Sequence, residues 1–97
     1  MILCAAIQAT YQNGEGKNVK VVIPGFRHAD VWELMTELGL PPRSQRQEVE
    51  GFIDNHNAFL DREEAYLHAR ACGQIPAAIL AEKDARGENK LYSEDLY

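Results

Sequence analysis

Residues 2–24 constrain the fold most tightly. The segment ILCAAIQATYQ (2–12) is apolar at first and then alternates, as a strand with one well-buried end does. NGEGKN (13–18) concentrates residues that tolerate positive φ, and VKVVIP (19–24) is rich in β-branched residues and stops at a proline. These three pieces predict an antiparallel hairpin with an exposed loop at 13–18.

The period then changes. In GFRHADVWELMTELGL (25–40), Val31, Leu34, Met35 and Leu38 stand at i, i+3, i+4 and i+7, one stripe of a helix. Asp30 is the expected N-cap, with Glu33 completing a capping box; Gly39 is the expected stop, and Pro41 and Pro42 bar continuation. Trp32 falls one position off the stripe, as a snorkelling or subunit-contact residue does. PPRSQRQEVE (41–50), with Arg43 and Arg46, reads as a polar and mobile linker.

GFIDNHNAFL (51–60) predicts a short hairpin around Asn55–Asn57, and DREEAYLHARACGQ (61–74) a second helix. Asp61 and Glu64 have capping-box spacing, Gly73 is the C′ residue, and the buried stripe is Ala65, Ala69 and Cys72. IPAAILAEK (75–83) fits strand or helix equally, DARGEN reads as a turn, and KLYSEDLY as a strand or a short helical turn. The expectation is one domain over residues 1–97, α+β in class, with a small antiparallel β-sheet packed with two α-helices.

Ten Lys+Arg stand against fifteen Asp+Glu, a formal net charge of −5. That excludes a general duplex-binding surface, which needs a basic face to release counterions, but not a small anion held by a few arginines. Cys4 and Cys72 fit no zinc spacing and are expected to be buried, reduced thiols. MILCAAIQA lacks the basic start and the apolar length of a signal peptide, and it is too short to span a bilayer. The expected location is the cytoplasm. A 97-residue domain with a thin Ala-rich helix face also gains from burial between copies, so a homo-oligomer is expected.

Two dense spots carry the candidate chemistry. Arg62 stands in the first turn of the second helix, where the macrodipole is already positive. It either pairs with neighbouring carboxylates or with Tyr66, or joins the free N–H groups of the helix start on a phosphate-like anion. Arg27 and His28 precede the first helix, and His28, with Asp30 near it, is the best general-base candidate. No nucleophile in a recognisable context accompanies it. His28-x-Asp30 and Asp54-x-His56 are too short a pattern for a metal site, so neither metal nor cofactor is expected. His68 reads as a half-buried packing residue, and Phe26, Phe52, Phe59 and Tyr92 as core before stacking platform.

Three blocks stand in fixed order: GFRHAD at 25–30, GFIDNHNAFLDREEA at 51–65 and LYSEDLY at 91–97. Their order resembles a family of small phage and prophage proteins that includes the first described Thoeris anti-defence proteins. The resemblance covers most of the chain, and the final block implies that the chain runs to its natural end. It further implies a non-enzymatic protein that sequesters a cyclic ADP-ribose signal, in some members also cyclic oligonucleotides of the CBASS defence, in pockets between subunits in the host cytoplasm. Carried over residue by residue, it assigns ligand binding to Arg27, His28, Phe52, Phe59, Arg62, Ser93, Glu94 and Asp95. Asn57 departs from the pattern, standing where a glycine is expected, and Phe26 replaces a second basic residue beside Arg27.

Arg62 then has two readings of equal standing: a phosphate or ribose contact, or an ion pair with Glu94 or Asp95 that makes the C-terminal block a strut. The alternative function is a structural or regulatory protein-interaction module of a phage or prophage without a nucleotide ligand. A small nucleotide hydrolase using His28 ranks third.

Overall fold

The computed structural model describes residues 1–96. Strands β1 (Ile2–Gln12) and β2 (Asn18–Gly25) form the hairpin, followed by helix α1 (His28–Glu37), strands β3 (Arg46–Asp54) and β4 (Phe59–Asp61), and helices α2 (Arg62–Ala71) and α3 (Ala77–Arg86). Single 3₁₀ turns lie at Arg43–Gln45 and Ser93–Asp95. The four strands form one antiparallel sheet in the order β2-β1-β3-β4. The α+β class is as read, with a third helix where residues 75–83 left strand and helix open. α3 runs on to Arg86 and ends at Gly87, whose φ of 66° closes it, so only the end of DARGEN lies outside a helix.

Local chemistry explains the turns. The Asn13 side-chain oxygen accepts from the backbone N–H of Glu15 (2.9 Å) and Lys17 (3.1 Å), and Gly16 takes φ 76°. In the second hairpin the Asp54 carboxylate accepts from His56 N–H and Ala58 N–H, both at 2.9 Å, and Asn57 adopts φ 61° without a glycine. Asp54 therefore closes a turn, and those hydrogen bonds hold its pKa below the usual carboxylate value.

One face of the sheet is covered. Ala5, Phe52 and Leu60 lie in register across β1, β3 and β4 and pack with Ala65, Tyr66, Ala69, Ile75 and Leu91. Further along the same face, Ile7 and Ala9 pack with Val31 and Met35. α2 behaves as predicted: the Asp61 carboxylate accepts from Glu64 N–H at 2.8 Å, and Glu64 reaches back to Asp61 N–H at 3.2 Å. Its buried residues are Ala65, Tyr66 and Ala69, whereas Cys72 is exposed and Cys4 half-buried; both are free thiols, so neither is the buried core cysteine expected.

Two expectations fail for physical reasons. α1 begins at His28, and Asp30 is its third residue, accepting from Arg27 N–H at 3.1 Å instead of capping by itself. The buried side is His28, Val31 and Met35, with Trp32 half-buried beside them, while Leu34 and Leu38 point outward. That i, i+3, i+4, i+7 stripe begins three positions earlier than the one expected, because His28 and Trp32 satisfy their ring nitrogens inside. The expected linker is also largely strand: Arg46–Glu50 pairs with Ile7–Tyr11 at the centre of the sheet. Arg46, Glu48 and Glu50 face the helices and are neutralised there by one another, Arg43 and Arg62.

Gly51 tests this packing. A Cβ there would overlap the Leu60 carbonyl oxygen and stand 2.7 Å from the Phe59 ring. Gly51→Ala should therefore lower the urea midpoint by an amount worth about 2 kcal/mol or more, through backbone displacement between β3 and β4.

Candidate functional site

Four parts of the chain meet beside the start of α1: the β2–α1 junction, β3, the first turn of α2 and the C-terminal 3₁₀ turn. His28 Nε2 lies 2.8 Å from the Gly51 carbonyl oxygen and Nδ1 lies 3.2 Å from Ser93 Oγ. A carbonyl only accepts, so Nε2 carries the proton and Nδ1 accepts from the serine hydroxyl. The Phe52 ring stands edge-on at 5.2 Å. Burial lowers the His28 pKa from its ordinary 6.5; the Gly51 carbonyl, Glu50 and Glu94 oppose this, and Arg62 adds to it.

Arg62 holds the C-terminal segment twice. Its guanidinium Nη1 donates to the Leu91 carbonyl at 2.8 Å, and its own carbonyl accepts from Leu91 N–H at 3.0 Å. The guanidinium lies 4.7 Å from the Tyr92 ring centroid, and Nη2 is 3.6 Å from Glu50. Asp61, Glu63 and Glu64 in the same turn offset the helix dipole that would otherwise oppose an arginine. The pairing with Tyr66 is overturned, since Arg70 takes that hydroxyl at 2.9 Å. So is the pairing with Glu94 or Asp95: the partners are Leu91, Tyr92 and Glu50.

Asp95 instead pairs at 2.8 Å with Lys83, a lysine 1% exposed whose ammonium also donates to the Lys90 carbonyl at 2.8 Å. Lys83 Nζ also sits 5.0 Å from the Tyr92 ring centroid. Asp95 also accepts from Tyr92 N–H at 2.8 Å. The C-terminal block is fastened to α2 by Arg62 at Leu91 and to α3 by Lys83 at Asp95, in place of the expected Arg62 pair with Glu94 or Asp95.

A cavity of about 220 Å³ opens between these parts. Arg27, His28, Arg62, Ser93 and Glu94 line it, with Trp32, Glu50 and Tyr92. Five of the eight predicted residues are thus brought together. Phe52 is fully buried behind the cavity. Phe59 precedes Leu60 on β4 and so projects from the opposite face of the sheet, and Asp95 lines a separate cavity of about 570 Å³ with Lys83. Sequence reasoning missed Glu50, Lys83 and the facing of Trp32. A signal for Lys83 existed: it falls four residues after Ile79 and three after Leu80, a charge on the apolar stripe of α3.

Chemically, the cavity offers two guanidinium groups, two carboxylates and two aromatic rings. The His28–Ser93 contact places a basic ring nitrogen on a hydroxyl, but both groups are buried and the histidine's second nitrogen is held by Gly51. A family model described as phage T4 y16D protein matches residues 1–97. The chain belongs to that family of phage proteins. No curated protein and no solved structure matches it. Family membership carries the phage part of the resemblance seen in the sequence, and the Thoeris part lies beyond it. No helix among the described residues of this y16D-family protein is long and apolar enough to cross a membrane.

The buried histidine makes stability depend on pH. Its folded pKa lies below 6.5, so the unfolded chain takes up the proton first as pH falls. Stability is full above about pH 6.5 and declines as pH drops from there toward the lower folded value. Urea midpoints at pH 7.5 and 5.5 should differ in the parent protein, and His28→Gln should flatten that difference. Arg62, with its side chain 17% exposed, should behave as a structural clamp. Arg62→Ala should cost about 2 kcal/mol, from one charge-assisted hydrogen bond and one ring contact, against about 0.5 kcal/mol for an ordinary surface arginine.

Proposed function

We propose that this y16D-family protein binds and sequesters, without cleaving, a small cyclic nucleotide-type signal such as a cyclic ADP-ribose isomer or a cyclic oligonucleotide, and so counters a bacterial anti-phage defence. The observation that carries the reading is the convergence of Arg27 and Arg62 with Trp32, Tyr92, Glu50 and Glu94 on one cavity. Guanidinium groups suit phosphate oxygens, aromatic faces suit a base, and carboxylates accept from ribose hydroxyls. Membership of a phage family supports the setting. The commitment of both His28 ring nitrogens to protein partners supports binding over hydrolysis.

At about 220 Å³ the cavity of one chain is below the usual range of small-molecule pockets, roughly 300–1,000 Å³. A second copy closing over its open side fits that shortfall, and the homo-oligomer belongs to the proposal for this reason. The second reading is a protein-interaction module without a nucleotide ligand. It is favoured by Arg62, whose guanidinium already has Leu91, Glu50 and Tyr92 as partners.

Incubation with a cyclic ADP-ribose isomer, removal of free ligand and heat denaturation separates the cases. Release of intact ligand supports sequestration, release of altered ligand indicates an enzyme, and no uptake of this isomer or of cyclic oligonucleotides favours the interaction module. Arg27→Lys keeps the charge and loses the bidentate fork, so it should weaken uptake about tenfold in calorimetry. Equal affinity in parent and variant removes Arg27 from the contact set.

A further inference from the structure

The helices pack on one face of the sheet, through Ala5, Ile7, Phe52 and their neighbours. Strand alternation therefore turns the other set of side chains outward. In register these are Thr10, Lys20 and Gln47; then Gln8, Val22 and Val49; then Ala6, Pro24, Gly51 and Asp61; then Cys4, Ile53 and Phe59. Val22 is 37% and Val49 46% exposed. A trough of about 350 Å³ opens on this face, walled by Val22, Pro24, Ile53, Asn57 and Phe59.

We infer that this open sheet face is a homodimer interface, on which a second copy of the chain packs sheet to sheet about a two-fold axis. Three observations select a second copy. The first is charge. The chain carries a net −5, yet β1, β2 and β3 present one charged side chain on this face, Lys20, and β4 one, the helix-capping Asp61, because Glu48 and Glu50 are turned to the helix side. Two acidic copies repel least where each shows one lysine against one carboxylate.

The second is shape. The exposed Val22–Val49 row stands directly beside a trough walled by Val22, Pro24, Ile53, Asn57 and Phe59, with the Phe59 ring closed over Gly51. A two-fold operation sets the ridge of each copy against the trough of the other, as an isologous contact requires. The third is size. Eleven residues of β1 at about 3.3 Å each, across three strands about 4.8 Å apart, give a patch on the order of 500 Å² before side-chain relief. Two such patches face to face bury on the order of 1,000 Å², the lower bound of a specific interface. The contact is independent of the nucleotide reading, since the cavity at His28 lies on the helix side and stays uncovered in such a pair.

Light scattering of the full chain tests this. The parent should run at twice 10.9 kDa or a multiple of that, and Val49→Glu, which sets like charges against each other across the axis, should halve the mass while keeping the parent circular dichroism. Leu67→Glu, on the exposed side of α2, should leave the mass unchanged. A monomeric parent overturns the proposal, as does an oligomer that Val49→Glu leaves intact. Should Val49→Glu fail to fold, thiol labelling of the parent decides. Cys4 lies on the open face, and its labelling should slow as protein concentration rises while the exposed Cys72 labels at a constant rate. Concentration-independent labelling of Cys4 also overturns the interface. None of these measurements involves nucleotide, so failure of ligand uptake and failure of the dimer are separately visible.

Discussion

Everything around the candidate site hangs on the neutral ring of His28. One nitrogen donates to a carbonyl in β3, 23 residues on, and the other accepts from a hydroxyl 65 residues on. A neutral ring, donor on one side and acceptor on the other, joins the two segments without bringing a charge into the interior. Burial, which disfavours the charge, is what keeps the ring in that state. The start of α1, the Gly51 region of β3 and the C-terminal turn are thereby fixed relative to one another, and the cavity is the space left between them.

A second layer of interactions holds the C-terminal segment to the helices. Tyr92 receives Arg62 at 4.7 Å and Lys83 at 5.0 Å, from α2 and α3 respectively. Each cation also hydrogen-bonds a carbonyl of the same segment, Leu91 for Arg62 and Lys90 for Lys83. The buried ammonium is matched by Asp95, and this pairing is what makes its burial tolerable. The arginine that looked misplaced at a helix start is thus a fastening first. Any ligand that engages it does so at a guanidinium already oriented by protein groups, which lowers the ordering cost of binding.

Much of the fold could be read from local signals. The β1–β2 hairpin rests on Asn13 and Gly16, and α2 on the Asp61–Glu64 box, both of which act within a few residues. What could not be read depends on partners distant in sequence. β3 looked like a linker because Arg46, Glu48 and Glu50 are polar on the covered side, and nothing local announces that Arg43, Trp32 and Arg62 will meet them. The face of α1 was misjudged for the same reason, since His28 and Trp32 are core-facing only once Gly51 and Glu48 receive their N–H groups. At the site, the blocks containing Arg27, His28, Arg62, Ser93 and Glu94 were legible. Phe52 and Phe59 were wrongly joined: Leu60, not Phe59, shares the face of Phe52.

That alternation has a consequence for both sides of the sheet. β3 carries its carboxylates at positions 48 and 50, and the strand period sends both toward the helices, where they neutralise the cations that shape the site. The intervening positions 47, 49 and 51 are glutamine, valine and glycine, so the opposite face is left uncharged along β3. A one-residue slip in β3 would exchange the two sets, stripping Arg62 of Glu50 and placing carboxylates on the open face. The Gly51 contact with Leu60 and Phe59, too close for any larger residue, resists that slip. One glycine therefore guards the register on which the charged cavity and the apolar face both depend.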